Sequence, residues 1–314
     1  MFQIIKPDTQ YRIAEQFKWT APLSILLVIG SLALFFTKME YGVDFRGGAE
    51  VQAKFAQNVP LPEMRKVLKG AGFKAVVQTI GEASDNEVLI KVQAEEKELN
   101  NVAQAVSAAL TKSFSAQGPE IRKVDIVGPK AGAQLRLSGF QAMLWALIAI
   151  MIYIGLRFDF KYSPGAIVAL FHDVTIILGV YSIAGIEFSL QTVGALLAVI
   201  GYSVNDTVIV YDRVREHENK YPGRPLTEHI TNAVNETLSR TILTSGTTLF
   251  VSLAMYIFGG AALRDFFTAI TLGVIIGTYS SIFVAAPVTL LLDKSNEKKK
   301  ASAGASVGNT AKQS

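Results

Sequence analysis

The residues of this chain that could do chemistry are few, and they lie inside apolar stretches. Asp206 sits in the second half of a run from Leu190 to Tyr211, within Gly201-Tyr202-Ser203-Val204-Asn205-Asp206-Thr207. Roughly two helical turns later the charged cluster Asp212, Arg213, Arg215 and Glu216 ends the run. In a bilayer-spanning helix a carboxylate at that depth costs about 2.5–3.5 kcal/mol. Such residues face a bundle interior or a hydrated path, where they handle protons or ions, or they hydrogen-bond a neighbouring helix as glue. Spacing leaves both roles open.

Asp206 has polar company. The preceding run, entered at Pro164, carries His172 and Asp173. On antiparallel neighbours rising about 1.5 Å per residue, Asp173 and Asp206 differ in depth by only a few Å and could share one hydrated pocket, with helix glue the other role open to Asp173. The next run opens at Arg240, and Arg240, Thr244, Thr248 and Ser252 recur every four residues as one polar stripe. Arg240 reads most simply as a basic anchor. If its helix packs on that of Asp206, its approach or withdrawal would release or restore a proton on the carboxylate. Gly273, Gly277 and Ser281 give the last run a small-residue face suited to close packing.

These residues need a scaffold, and the apolar distribution supplies it. The chain has 314 residues, 50% apolar and 18% charged, with mean hydropathy +0.33. Those totals fit a soluble domain as well. The apolar residues, however, gather in six runs: 19–36, 140–156, 164–184, 190–211, 241–258 and 266–292. Most are near the ~20 residues that cross a hydrocarbon core. The first is too long and too bulky at its end for a cleaved leader, so it is expected to remain as a helix. Trp19, Trp145, Tyr153, Tyr162 and Tyr256 lie near run ends, as interfacial anchors do.

Residues 38–137 differ, with periods of two alternating with periods of 3.6. Strands are expected at 51–55, 74–80, 87–93 and 121–127, and helices at 62–70 and 96–113. This βαββαβ order predicts a ferredoxin-like antiparallel sheet with two helices on one face. The fold class is therefore an α-helical polytopic membrane protein with one α+β domain between its first two helices. Leu226, Ile230, Val234 and Leu238 recur every four residues, so an amphipathic helix is expected within the segment 213–240, lying at the interface or docking a partner. The tail 293–314, rich in Lys, Ser, Gly and Ala, is expected to be disordered.

Basic residues set the orientation. Arg12, Lys18, Arg157, Lys161, Arg213, Arg215, Lys220, Arg224, Arg240 and the tail lysines share one side, while the opposite short loops hold only Arg264. Both termini are thus expected in the cytoplasm and 38–137 outside. The net charge of +4 is explained by those loops and gives no reason to expect nucleic acid. With no cysteine the chain has no disulfide and no thiolate chemistry. No Walker loop, Gly-x-Ser-x-Gly or His-Glu-x-x-His is present. Energy for any work must then come from a partner or from the membrane, where one proton crossing 100 mV supplies about 2.3 kcal/mol.

Several motifs together resemble the SecF family of bacterial protein-export membrane proteins, within the RND superfamily. They are Tyr41-Gly42-Val43-Asp44-Phe45-Arg46-Gly47-Gly48, Gly128-Pro129, Phe171-His172-Asp173, Gly201 through Thr207 with Asp212-Arg213-Val214-Arg215-Glu216, and Arg240-Thr241 with Thr244-Ser245. The resemblance covers about residues 10 to 292. It implies an RND-like half that pairs with SecD in the bacterial inner membrane. The pair would work with the SecYEG channel, with YajC and YidC as further partners, and use the proton gradient, without a bound cofactor, to draw preproteins outward. Asp206 and Arg240 match the family's proton-pathway residues, with Asp173 beside them. Asn205, Thr207, Asp212, Arg213, His172 and Thr244 fall in the supporting motif, and Asp44, Gly47 and Gly48 in the entry motif of the outer domain. Two rivals remain: half of an RND-type small-molecule or lipid efflux pump, and a scaffold in which Asp206 is glue.

Overall fold

The computed structural model describes residues 10–80, 83–94, 99–158 and 160–293. The expected disordered tail, and the expected start of a helix at residue 96, lie outside the described residues. Among the described residues six helices are long and apolar enough to cross a membrane. They are α1 (Ile13–Lys38), α5 (Pro129–Arg157), α6 (Ser163–Ala184), α7 (Leu190–Lys220), α8 (Leu226–Phe258) and the stretch Ala262–Asp293. The last begins as α9 (Ala261–Ser280) and passes through a π-helical turn, Ser281–Ala285. The sixth apolar run is therefore not one regular helix.

Between α1 and α5 stand the short α2 (Val43–Arg46), β1 (Gly48–Lys54), α3 (Leu61–Gly70), β2 (Ala75–Ile80), β3 (Glu87–Gln93), α4 (Leu99–Ser113) and β4 (Glu120–Val127). The sheet runs β2-β3-β1-β4, antiparallel throughout, with Val51 opposite both Ile90 and Val124. Alternate residues of β1 and β3 point into a core of Val51, Ala53, Val88 and Ile90, covered by Met64 and Leu68 of α3 and by Val106 and Leu110 of α4. The expected ferredoxin-like domain is present, and its period-two pattern is the reason: one sheet face must be buried.

One glycine seats this domain on the bundle, and the next lets β1 lie close against β3. Gly47 has φ +90°, ψ 150°, a conformation open almost only to glycine, and a Cβ there would lie 2.8 Å from the Pro129 nitrogen. A Cβ on Gly48 would run into the Val92 carbonyl. The Gly42 N–H donates to the Phe188 carbonyl (3.0 Å) and the Phe188 N–H to the Glu40 carbonyl (2.8 Å). Asp44 Oδ2 accepts from the Leu190 N–H at 2.9 Å, placing a carboxylate at the positive end of α7. The entry motif is thus a clasp joining α1, α5 and α7 beneath the sheet.

Within the bundle, α6, α7 and the last span bury half or more of their most apolar stretch, whereas α1 and α8 bury about a tenth. The first three form the centre, with the others around them. The expected interfacial helix is corrected: 226–240 is the first part of α8, continuous with its membrane span. Leu226, Ile230 and Val234 pack against Val210, Tyr211 and Val214 of an equally extended α7. The four-residue apolar repeat faces another helix, which buries it better than an interface could. Tyr162 is corrected too. It is fully buried, its ring against Tyr211 with centroids 4.9 Å apart, and its hydroxyl donates to Glu218.

Candidate proton-handling site

Four helices build the site. The stripe on the last span works as expected: a Cβ on Gly277 would lie 3.1 Å from that of Ser203, and one on Gly273 would overlap the Val199 side chain. Glycine at both positions lets α9 approach α7 closely, bringing its hydroxyls to the carboxylates of α6 and α7.

Asp173 is 1% exposed and fully engaged. Its Oδ2 accepts from Ser203 Oγ of α7 (2.6 Å) and from Ser280 Oγ of α9 (2.8 Å), and its Oδ1 lies 3.0 Å from His172 Nδ1. The His172 ring stacks on Tyr279, and its Nε2 has no hydrogen-bond partner among the described residues. Ser280 adjoins the π-helical turn, a common feature of functional sites.

Asp206 is equally buried, at 1% exposure, but poorly served. Oδ2 meets only Ser245 Oγ of α8, at 3.4 Å, and Oδ1 has no hydrogen-bond partner among the described residues. Ser245 Oγ lies 2.7 Å from Thr278 Oγ1 of α9 and accepts from the Tyr202 hydroxyl at 3.2 Å. Arg240 stands little more than one turn before Ser245 on α8, and its exposed side chain makes no hydrogen bond or ion pair among the described residues. A cavity of about 410 Å³ reaches Arg240 from the basic end of the bundle, walled by Tyr153, Arg157, Val208, Asp212 and Arg213.

Two expectations change in detail. Among the described residues Asp173 and Asp206 share no hydrogen-bond partner; each closes on its own hydroxyls, with Ser203 and Asp206 on the same stretch of α7. The expected stripe is inward only in part: Thr244 and Thr248 are half-buried with their hydroxyls on carbonyls of their own helix, whereas Ser252 is buried. The face that meets α7 and α9 carries Thr241, Ser245 and Ser252, all buried. Spacing alone did not select Ser245, Thr278 or Ser280; their signal was the density of hydroxyls on runs next to an intramembrane Asp.

The rest of the motif is structural in its contacts. Thr207 donates to the Ser203 carbonyl (3.2 Å). Arg213 pairs with Glu216 and with Glu236 of α8, and Asp212 lies 3.9 Å from Arg157. Asn205 is exposed on α7, with no hydrogen bond from its side chain among the described residues. Among the described residues no group of His, Cys, Asp and Glu gathers as a metal site.

Comparison with known proteins places these features in context. Residues 105–295 match the family model described as protein export membrane protein SecD/SecF, C-terminal, and residues 32–59 match the SecD/SecF GG motif. The chain is 43% identical over 265 residues to the protein translocase subunit SecF of Rickettsia akari, covering 84% of this chain and 85% of that one. It is 42% identical over 276 residues to the SecF subunit of Rickettsia bellii, covering 87% and 90%. Among solved structures, SecDF of Thermus thermophilus, described as a translocon-associated membrane protein, superposes with a TM-score of 0.78 at 32% identity. That match covers 93% of this chain and 40% of the SecDF chain, so this chain spans about two fifths of the solved protein. A SecDF structure in a super-membrane-facing form gives 0.72 at 33% identity, covering 96% and 41%.

Proposed function

The chain belongs to the SecD/SecF family of protein-export membrane proteins, and from that premise we propose that Asp206 is the carboxylate through which its membrane half uses a proton gradient. The Sec export role and a SecD partner follow from the family; an efflux pump is not favoured, since the relatives are SecF translocase subunits. A translocase subunit changes the position of its cargo without making or breaking its bonds. In our reading the driving energy is the proton motive force, with no nucleotide site and no cofactor. SecYEG supplies the channel, YajC and YidC are further partners, and preproteins are the cargo. The chain sits in the inner membrane with both termini cytoplasmic and 38–137 outside, which the one-sided Arg and Lys distribution supports.

The observation that carries the proton reading is the contrast between two buried carboxylates. Buried polar atoms are nearly always hydrogen-bonded, and an orphan is costly. Asp173 is satisfied at both oxygens and ties α6 to α7 and α9. Among the described residues Asp206 is left with an oxygen that has no hydrogen-bond partner, which suits a group that gains and loses a proton as its surroundings change. In our reading Arg240, little more than one turn before Ser245 on α8 and not hydrogen-bonded to the carboxylate among the described residues, biases that exchange without locking it.

The test is translocation of a preprotein into inverted membrane vesicles, with and without a proton gradient. Wild type, Asp206→Asn and Arg240→Ala are compared at matched levels of this chain and SecD. The gradient-dependent component should vanish in both variants while transport without a gradient persists. An equal response to the gradient in all three would make Asp206 and Arg240 structural.

A further inference from the structure

Hydrogen counting around Asp206 reveals a shortage of one proton. Three contacts form a line from α7 to α9: Asp206 Oδ2 to Ser245 Oγ (3.4 Å), Ser245 Oγ to Thr278 Oγ1 (2.7 Å), and Thr278 Oγ1 to the Val274 carbonyl (2.7 Å). Each needs one hydrogen, and the two hydroxyls hold two between them. Tyr202 spends its own hydrogen on Ser245, so that oxygen accepts whatever else happens. With Asp206 ionised, one of the three contacts must therefore go unmade.

We propose that Ser245 is a positioning residue that reverses the direction of this hydrogen-bond line according to whether Asp206 carries a proton. The proposal rests on the proton-handling reading of Asp206. When the carboxyl is protonated it supplies the missing hydrogen: Asp206 donates to Ser245, Ser245 to Thr278, and Thr278 to the Val274 carbonyl. When the proton leaves, the Ser245 hydroxyl turns to the carboxylate, Thr278 donates to Ser245, and the Val274 carbonyl loses that donor. No covalent bond changes; one proton departs and two hydroxyls rotate.

The consequence falls on α9. Val274 and Thr278 directly follow Gly273 and Gly277, where α9 touches α7, and lie shortly before the π-helical turn at Ser281–Ala285. A charge change on α7 is thereby converted into a change in the backbone hydrogen bonding of its closest neighbour. The other groups around Asp206 do not supply the missing proton. Arg240 of α8 makes no hydrogen bond to Asp206 among the described residues, and Asp173 and His172 of α6 are engaged with each other and with Ser203 and Ser280. The remaining hydroxyl of that stretch of α9, Tyr279, bonds α1 at Thr20 and Ser24.

The test reads the carboxyl directly, by infrared spectroscopy of the full chain with SecD in lipid vesicles across a pH series. The signal is the protonated-carboxyl band that Asp206→Asn abolishes. Ser245→Ala removes the donor that the charged form needs most, since a buried charge suffers more from a lost donor than a neutral hydroxyl does. The midpoint of the band should move to higher pH. Thr278→Val removes two bonds from the protonated line and one from the ionised line, so the midpoint should move to lower pH. Each shift should be about one pH unit, the difference made by roughly one hydrogen bond. Thr278→Ser keeps the hydroxyl and should titrate as wild type. Midpoints unmoved, or displaced in the same direction in both variants, overturn the proposal. Absence of any titrating band that depends on Asp206 would overturn the proton reading beneath it.

Discussion

Replacing Gly47 by alanine tests whether the clasp beneath the sheet depends on backbone conformation. Gly47 combines φ +90° and ψ 150° with a position where a Cβ would lie 2.8 Å from the Pro129 nitrogen and 2.9 Å from its Cα. The backbone strain costs about 1–3 kcal/mol, and the clash is with main chain, which cannot swing aside as a side chain can. Because one shift of the loop relieves both effects, the total should be about 2–4 kcal/mol rather than their full sum. That loss should appear as local opening. The amides of Phe45, Arg46 and Gly47, bonded to the carbonyls of Gly42 and Val43, should exchange roughly 30- to 700-fold faster with deuterium. Hydrogen exchange read by mass spectrometry on the full chain in detergent measures this. Gly70→Ala is the control, since a Cβ there meets nothing within 4 Å, and exchange at the clasp should not change. If Gly47→Ala leaves the clasp as protected as wild type, the glycine is not required by conformation and the reasoning fails.

Two further outcomes follow from the same contacts. Gly273→Ala should push α9 off Val199, which its Cβ would overlap, at a cost of about 1–3 kcal/mol; Gly246→Ala, with open space around its Cβ, should cost little. Thermal unfolding of the detergent-solubilised chain compares them, and equal losses would discount the close approach of α7 and α9. At the clasp, burial pushes the Glu187 carboxyl above its usual range; Lys91 and Arg46 oppose the shift, and Glu40 and Asp265 add to it. The fold therefore favours neutral Glu187. Its contribution is fully present below the ordinary glutamate value of about 4.3 and is lost as pH rises through the higher folded value. Wild type should lose thermal stability relative to Glu187→Gln over that interval, and parallel curves for the two would show that the group does not titrate differently in the fold.

The linear pattern of this sequence determined a large share of the architecture. Apolar runs of bilayer length force helices because a backbone in hydrocarbon must satisfy its own hydrogen bonds. In the same way, alternation along Val51–Ala53 and Val88–Val92 forces a sheet with one buried face. Asp206 and Asp173 were legible as a polar set because charge inside such runs is expensive, whereas Arg240, at the mouth of its run, joined them only through the resemblance. The ends of α7 and α8 were not legible. Residues 213–240 carry enough charge to read as a loop with an amphipathic helix, and only packing of Ile230 and Val234 onto Val210 and Val214 extends both helices through it.

The site shows the same division at finer scale. Sequence identified the carboxylates but not their donors, because a helix repeating every 3.6 residues places either Thr244 or Ser245 inward according to how the whole helix is rotated. That rotation is set by neighbours: Gly273 and Gly277 bring α9 against Val199 and Ser203, and the hydroxyls of Ser245, Thr278 and Ser280 then fall beside particular oxygens. The sequence by itself determined which charges would be buried. Only the tertiary structure decided that Asp173 would be fully bonded and Asp206 would not, since hydrogen bonds between helices depend on distances of a few tenths of an ångström that no spacing along one chain can encode.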